Sequence, residues 1–209
     1  MDKDVQYLIH FFTDKAHLFK TIMMAEACQI EEISDTFVSQ KGWYWGRYAK
    51  SERHDYLKRR RFVENELFEG YTQVYGRLKE KVPVYFYLYP QLTTQQAIAL
   101  AQERTRHEEA QPGILLIRIQ DLKDITNITF TLNDSCTAYW QKIKEAGIKC
   151  RGPQPNGIIL PHHNRVFPFS MIEELHRMYA KHDMVYEVQV WDYELLERIH
   201  YTILEEVKA

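Results

Sequence analysis

Cysteine is scarce in this sequence: only three of its 209 residues are cysteines, and they stand far apart at positions 28, 136 and 150. An odd number of widely spaced cysteines fits neither a disulfide framework nor a zinc finger. The sequence therefore predicts a protein of a reducing compartment, and we expect it in the cytoplasm.

Long hydrophobic runs and an excess of one charge are also missing. No apolar run approaches the roughly 20 residues that a membrane-spanning helix needs, and no charged-then-apolar leader opens the chain. The formal net charge is only -2, so binding to nucleic acid would have to come from a local patch. We expect a soluble protein that does not bind membranes.

Several catalytic signatures are absent from the chain. It contains no glycine-rich phosphate loop of the Rossmann or P-loop kind, no GxSxG nucleophile elbow and no HExxH zinc motif. The adjacent His162 and His163 of "PHHNR" would point to opposite sides of an extended segment, without a cluster of carboxylates nearby. We predict no metal site, and a metal-dependent hydrolase using either histidine is the least favoured alternative.

Aromatic residues are plentiful, and the pattern of elements predicts one α+β domain over residues 1–209. The chain is 45% hydrophobic and 13% aromatic, which is typical of a packed globular protein. Strands are predicted at 5–13, 82–90, from 114, near 127–135 and near 184–192, among helices without a regular βαβ order. The first predicted helix begins near Thr13 or Asp14 and includes Leu18, Phe19, Ile22 and Met23, the second runs from Ser51 to Gly76, and the last runs through Leu196, Ile199 and Ile203. Others begin at the Thr93/Gln96 capping box, at Asp134 or Ser135, and at Ser170.

His10 and Glu187 are polar residues within predicted strands. In "YLIHFF" the alternation of a strand puts His10 on the same face as Leu8 and Phe12, where a hydrogen-bonded core histidine or a ligand contact would both fit. In "YEVQV", Glu187 shares a face with Gln189. A glutamate in the middle of a strand is disfavoured unless its face meets water or a polar cleft, so this face is either exposed or lines a site.

A basic and aromatic segment runs from Trp43 to Arg61. Its arginines could attract phosphates and its aromatic rings could stack on bases. The run "KRRR", residues 58–61, is followed by Glu64, Glu66 and Glu69, so pairs within a solvated helix also account for it. The candidate nucleic-acid contacts are Trp43, Trp45, Arg47 and Arg59.

In this order, the segments resemble the ADP-ribosyltransferase superfamily, and within it the DNA-modifying toxins of the DarT type. "LIHFFTDKAHLFKTI" is similar to the first strand and helix of that family, and "VPVYFYLYPQL" to its aromatic strand. "ILLIRIQDL" and "ITFTLNDS" resemble the strands that follow. "YLKRRRFVE" stands where the family has an arginine-rich run, and "YEVQV" where its strand with the catalytic glutamate is expected.

The resemblance implies a split mixed or antiparallel sheet with flanking helices, and a site that uses NAD as a substrate. Glu187 would be the catalytic carboxylate, His10 and Thr13 would bind a ribose of NAD, and Tyr85, Tyr87 and Tyr89 would stack on nicotinamide. The arginine that follows the aromatic strand in the toxins is missing from this sequence. The pyrophosphate of NAD would then be bound by Arg47, Arg59, Arg60 or Arg61, and of these we choose Arg60.

The expected function is transfer of ADP-ribose to single-stranded DNA or another cytoplasmic acceptor, with an antitoxin-like protein as a candidate partner. The departures from the family pattern leave a second hypothesis, a non-catalytic nucleotide- or nucleic-acid-binding module of the same fold. The two hypotheses differ in whether His10 and Glu187 line one cleft.

Overall fold

Seven strands form one sheet in the part of the chain that the computed structural model describes, which is residues 6–12, 18–39, 45–76, 81–105, 113–122, 127–150, 160–182 and 184–204. The strands are β1 (Tyr7–Phe12), β2 (Val84–Leu88), β3 (Gly113–Arg118), β4 (Ile128–Leu132), β5 (Phe167–Pro168), β6 (Tyr186–Val190) and β7 (Thr202–Leu204). The α-helices are α1 (Ala27–Ser39), α2 (Lys50–Tyr75), α3 (Thr94–Thr105), α4 (Ser135–Ala138), α5 (Trp140–Glu145), α6 (Ile172–Met178) and α7 (Tyr193–Arg198).

The strand order across the sheet is β5-β4-β6-β2-β1-β3-β7, and neighbouring strands are antiparallel. Strands far apart in sequence, such as β2 and β6, lie side by side. This architecture confirms the predicted α+β class.

The junction between β1 and β2 is the weakest pairing inside the sheet. It has one register pair, Ile9 with Tyr87, whereas β1 pairs with β3 from Tyr7 to Phe12 and β2 pairs with β6 along its whole length. The sheet therefore consists of two well-paired halves, β5-β4-β6-β2 and β1-β3-β7, that meet along a short seam.

Each face of the sheet packs against different helices. Leu8, Phe86 and Val188 lie on one face, in a core that includes Leu175 of α6 and Leu196 of α7. On the opposite face, Ile9 and Leu116 pack against α3, while Trp191, directly after β6, packs against α2, α4 and α5. Because both faces are covered, every residue of the central strands β4 and β6 is buried.

The long helix predicted from Ser51 to Gly76 is confirmed. Val63, Leu67 and Tyr71 are buried at helical spacing, and α2 ends at Gly76, whose φ of 83° is in the left-handed region that glycine adopts readily. The Thr93/Gln96 capping box is also confirmed, since the backbone N–H of each residue donates to the side chain of the other.

Two helix predictions are wrong. Leu18 to Met24 form a turn and a short 3-10 helix capped by Thr21, because Leu18, Phe19 and Met24 cover the sheet from an irregular segment. Near the C-terminus α7 ends at Arg198, and Ile203 lies in β7, where it pairs with Leu115 of β3. In both places apolar residues at helical spacing are partly or fully buried by a backbone that is not α-helical.

The predicted cap at Ser170 is also incorrect. Residues Phe169–Met171 form a 3-10 turn, and α6 starts after it without a side-chain cap. Asp134, in contrast, caps α4, because its side chain accepts a hydrogen bond from the N–H of Thr137. Of the two predicted caps, Asp134 and Ser135, the first is therefore confirmed.

Phe12, at the end of β1, lies directly over Gly113 at the start of β3. A Cβ atom at position 113 would be 2.2 Å from the nearest ring carbon of Phe12. The ring therefore occupies the space that any other side chain at position 113 would need.

None of the helices in the described ranges has the length and hydrophobicity that crossing a membrane requires.

Candidate functional site

A cleft opens on the face of the sheet that carries Glu187. Its empty volume is about 890 Å³, part of it open to solvent. One wall comes from residues 20–23 and from Phe37 of α1, another from α2 and the segment before it, and the floor from β2 and β6. The lining side chains are mostly aromatic or cationic, together with one carboxylate: Phe12, Lys20, Thr21, Ile22, Met23, Phe37, Arg47, Tyr48, Tyr56, Arg60, Tyr85, Tyr87 and Glu187.

Glu187 lies at the floor of this cleft and is only 3% exposed. Its strand β6 is central in the sheet, between β2 and β4, and the residue pairs with Tyr87 and Thr131. The backbone N–H of Ser135 donates to its Oε1 at 3.2 Å. Burial raises the pKa of Glu187 to about 7, although the nearby Arg60 guanidinium acts to lower it.

Arg60 is held between Glu64 and Tyr85 beside Glu187. Its Nε donates to Oε1 of Glu64 at 2.8 Å, and its guanidinium carbon lies 4.0 Å from the centre of the Tyr85 ring. Its Nη1 is 3.4 Å from Oγ of Ser135, the residue whose N–H binds Glu187. Arg60 and Glu64 are thus an ion pair whose side chains are 15% and 5% exposed, not the solvated pair that their spacing also allowed.

Glu64 and Tyr85 each keep one buried polar atom without a well-formed hydrogen bond, Oε2 and the hydroxyl oxygen. The two groups interact electrostatically, but their geometry does not meet that of a hydrogen bond. Burial raises the pKa of both groups, and Arg60 acts against this rise in each case. Beside the floor of the cleft, the Arg60 cation is therefore near two buried carboxyl groups, Glu187, which lines the cleft, and Glu64, which does not.

A buried polar network supports the strand next to Glu187. Gln189 accepts a hydrogen bond from Thr129 at 3.0 Å and donates to the backbone oxygen of Glu187 at 2.8 Å. The indole N–H of Trp191 donates to the hydroxyl oxygen of Thr129 at 2.9 Å. These bonds tie β4 to β6 and fix the backbone from which Glu187 projects.

The mouth of the cleft carries cations and stacked rings. Lys20 is exposed there, and the Arg47 guanidinium lies 5.7 Å from the centre of the Tyr56 ring. Tyr48 stacks on Phe37 at 5.0 Å, which joins the two helical walls of the cleft. Positive charge at the mouth and aromatic surface inside suit an anionic ligand with planar rings.

His10 does not line this cleft. Ile9 is paired with Tyr87, and Tyr87 with Glu187, so these three share one face while His10 lies on the other with Phe86. Its Nδ1 is 2.6 Å from the carbonyl oxygen of Tyr85 and its Nε2 is 2.7 Å from that of Leu18. Contrary to the expectation for a ribose contact shared with Glu187, both ring nitrogens of His10 contact the backbone.

The other predicted NAD contacts are divided. Tyr85 and Tyr87 line the cleft with Arg60 and Glu187. Tyr89, which strand parity put on the same face, is 4% exposed and packs in the core under α3 with Ile9 and Ala97. Thr13 lies outside the described residues.

The predicted nucleic-acid contacts are only partly described. Arg47 lies at the mouth of the cleft. Arg59 is buried, and its Nη1 donates to the carbonyl oxygen of Lys149 at 2.8 Å. The depression that both arginines line also contains Lys149, Glu52 and Asp55, so two carboxylates offset part of the charge of its three cations. Trp43 and the side chain of Trp45 lie outside what the structure describes.

The two adjacent histidines have structural contacts. Nδ1 of His162 lies 2.5 Å from the Tyr179 hydroxyl, and His163 receives the N–H of Leu160 at 3.4 Å. Within the described ranges no group of three histidine, cysteine or acidic residues is placed to hold a metal ion.

The sequence did not indicate several residues in or next to the cleft, among them Lys20, Glu64 and Ser135. Glu64 follows Arg60 by four residues, which predicts a pair, but nothing in the sequence indicates that this pair is buried. Ser135 was considered only as a helix cap, and Lys20 lies in a segment predicted to be helical. Their roles depend on contacts between distant parts of the chain.

Comparisons with models of protein families, with curated proteins and with solved structures found no significant match to this chain.

Proposed function

We propose that the protein is an NAD-dependent ADP-ribosyltransferase with Glu187 as its catalytic carboxylate. The observation that carries the proposal is the placement of Glu187, the only carboxylate lining the described cleft, on a floor surrounded by aromatic rings and near Arg60. The order of sequence motifs that resembles the ADP-ribosyltransferase superfamily supports the same assignment.

The chemistry requires a negative charge next to a ribose. When the bond between nicotinamide and ribose breaks, its electron pair leaves with nicotinamide and positive charge develops on the sugar. An ionised Glu187 would stabilise that charge, and it would accept the proton that the acceptor loses when its nucleophile binds the sugar carbon. Because the pKa of Glu187 is about 7, we expect the rate to rise with pH around neutrality.

The remaining lining residues divide into ring contacts and phosphate contacts. Tyr85 and Tyr87 present aromatic surface for nicotinamide near Glu187. Lys20 and Arg47 are at the mouth, where the pyrophosphate of NAD would be neutralised. Arg60 pairs with Glu64 deeper in the cleft, so we now favour Lys20 and Arg47 over Arg60 for the phosphates.

The acceptor is a separate part of the proposal. Single-stranded DNA is the acceptor that the resemblance implies, and Arg47 with Tyr56 at the mouth provides a cation and a ring for one nucleotide. Two carboxylates in the depression next to them reduce its positive charge, and one of these, Asp55, pairs with Lys149 at 3.0 Å. We therefore expect weak and salt-sensitive binding of a strand.

The test is release of nicotinamide from NAD by the wild type and by Glu187→Gln, with and without single-stranded DNA. We expect the wild type to release nicotinamide and the variant to be slower by about 10²-fold or more, because Gln cannot accept a proton or carry the charge. Stimulation by DNA would identify the acceptor class. Equal rates for the two proteins would refute the assignment of Glu187.

A second candidate function is a non-catalytic nucleotide-binding module, and the placement of His10 favours it. A site in which His10 and Glu187 do not share a cleft lacks the ribose contact that the resemblance implies. This candidate predicts that NAD binds, as measured by calorimetry, and that nicotinamide is not released under any condition. Failure of both binding and release would reject both functions.

A further inference from the structure

The pair of Glu64 and Arg60 has a geometry that bears on Glu187. Glu64 is 4% exposed and Glu187 3%, so both carboxyl groups are withdrawn from water, and the Arg60 guanidinium is the cation near both of them. Arg60 forms its ion pair with Glu64, at 2.8 Å. Its link to Glu187 passes through Ser135, whose Oγ faces Arg60 and whose N–H donates to the Glu187 carboxylate.

We propose that Glu64 is a positioning residue for Glu187: it holds the Arg60 guanidinium over the Tyr85 ring, close to the Glu187 carboxylate but not paired with it. The inference rests on the proposed function, since it concerns the same cleft. Without an anchor, a buried guanidinium next to a buried carboxylate is expected to form a bidentate pair with it. Such a pair would occupy the oxygens that a ribose or an attacking nucleophile needs.

The anchoring has two parts that act on different sides of the guanidinium. Glu64 binds the Nε side from the next turn of the same helix, and the Tyr85 ring supports the guanidinium face at 4.0 Å. The Glu64 charge also offsets part of the Arg60 charge. The positive potential of Arg60 at Glu187 is therefore reduced, and the Glu187 carboxyl group can both ionise and accept a proton.

The consequence can be measured on the titration of Glu187. The ionisable groups around Glu187 come from three elements: Arg60 and Glu64 of α2, Tyr85 of β2, and Asp134 and Cys136 at the start of α4. In Glu64→Gln the amide oxygen can still accept from Arg60 Nε, but the negative charge is lost. Arg60 then acts on Glu187 with its full charge, and the midpoint of the Glu187 titration should fall by roughly one pH unit.

The experiment is an NMR titration of glutamate side-chain carboxyl carbons, with the Glu187 signal assigned by its loss in Glu187→Gln. It needs no NAD and no activity, so its outcome is independent of whether the proposed reaction occurs. The matched control is Glu66→Gln, which removes another carboxylate of α2 whose ion pair, with Lys142 at 2.5 Å, lies away from the cleft. The control should leave the Glu187 midpoint unchanged.

A lower midpoint in Glu64→Gln alone supports the inference. An unchanged midpoint, or an equal change in the control, would overturn it, because Glu64 would then act only on stability. A higher midpoint would overturn it as well, because Arg60 would have moved away from Glu187 although its acceptor was kept.

A second variant keeps the inference testable if Glu64→Gln does not fold. The double variant Arg60→Gln with Glu64→Gln removes both charges of the ion pair, so that neither of these two residues is left as a buried ion without its partner. Its Glu187 midpoint should lie above that of the wild type, because burial remains while the cation is gone. A midpoint at or below the wild-type value would contradict the role of Arg60.

Discussion

In Glu187, burial disfavours the ionised carboxylate more than the nearby Arg60 and the N–H of Ser135 stabilise it. Burial raises its pKa to about 7, and the compensation by Arg60 is incomplete because Arg60 is paired with Glu64. The folded protein therefore binds a proton at Glu187 more tightly than the unfolded chain does. Ionisation of Glu187 at neutral and alkaline pH costs stability, and this cost is specific to one side chain.

Replacement of Glu187 by Gln should stabilise the protein at alkaline pH. The stability that protonated Glu187 contributes is fully present below the ordinary pKa of 4.5 and is lost as pH rises to about 7. Because one pH unit corresponds to about 1.4 kcal/mol, this loss amounts to roughly 3 kcal/mol. Urea unfolding should find the two proteins similar near pH 4.5 and the variant more stable at pH 8 by up to that amount.

The control for this prediction is Glu173→Gln, which changes an exposed glutamate of α6. Its effect on the free energy of unfolding should stay within about 0.5 kcal/mol at both pH values. A difference between Glu187→Gln and the wild type that does not change with pH would show that Glu187 ionises normally in the folded protein.

His10 links elements that backbone pairing leaves apart. It belongs to β1, and its ring contacts the backbone oxygen of Tyr85 in β2 and that of Leu18 in the segment leading to the cleft wall. Only the doubly protonated ring can donate to both oxygens, whereas burial lowers the pKa of His10 and favours the neutral ring. In the neutral ring one nitrogen donates to one of the two oxygens and the other nitrogen carries no hydrogen, so the histidine is a structural bridge with one hydrogen bond and one close contact.

His10→Ala should destabilise the protein by about 2–3 kcal/mol, because the carbonyl group that accepts from the ring loses its donor and the contact of the ring with Phe86 is removed. His54→Ala, at an exposed position of α2, is the control and should change the free energy of unfolding by less than about 0.5 kcal/mol. Urea unfolding of both variants checks this, and equal effects would mean that the bridge contributes nothing.

The sequence predicted elements well where local pattern and tertiary packing agree. Alternating residues of β6 and the capped, amphipathic pattern of α3 led to correct elements. Ile203 was assigned to a helix because its spacing from Leu196 and Ile199 is helical, but the free edge of β3 takes it into β7. Edge pairing of this kind depends on a strand about 90 residues away and has no local signal.

The candidate site was predictable in its parts and not in its assembly. The resemblance to the ADP-ribosyltransferase superfamily led to Glu187, Tyr85, Tyr87 and Arg60, and the basic and aromatic segment led to Arg47; all five line one cleft. His10 was also chosen from the resemblance and lies on the opposite face, because the register of β1 against β2 decides the face and single-strand parity cannot fix it. Glu64 was foreseen as a partner of the arginines, but its burial follows from the packing of α2 on the sheet.

The whole sheet is two halves joined along the seam between β1 and β2. One half carries Glu187 and Tyr85, while the other carries Phe12, so the cleft is built from both. Backbone pairing of the described residues at this seam is limited to one register pair, and the His10 bridge and side chains of two shared hydrophobic clusters also connect the halves. Relative displacement of the halves would change the width of the cleft.

Amide hydrogen exchange should reveal this seam. The amides of β2 that point towards β6 are expected to be well protected, and those that point towards β1 to exchange faster, because their pairing is sparse. NMR can resolve the individual amides, and addition of NAD should slow the exchange at the seam if it binds the cleft. Uniform protection of β2 in the free protein would contradict a weak junction.

The contact of Phe12 with Gly113 makes the cleft sensitive to mutation at a residue that does not line it. A glycine codon can become the codon of several amino acids through one base change, and each of them carries the Cβ atom for which there is no room under the Phe12 ring. Phe12 is part of the cleft wall, so every such allele would reach the cleft by displacing that ring. Natural variation at codon 113, in β3, would therefore alter the ligand site through the Phe12 ring of the neighbouring strand β1.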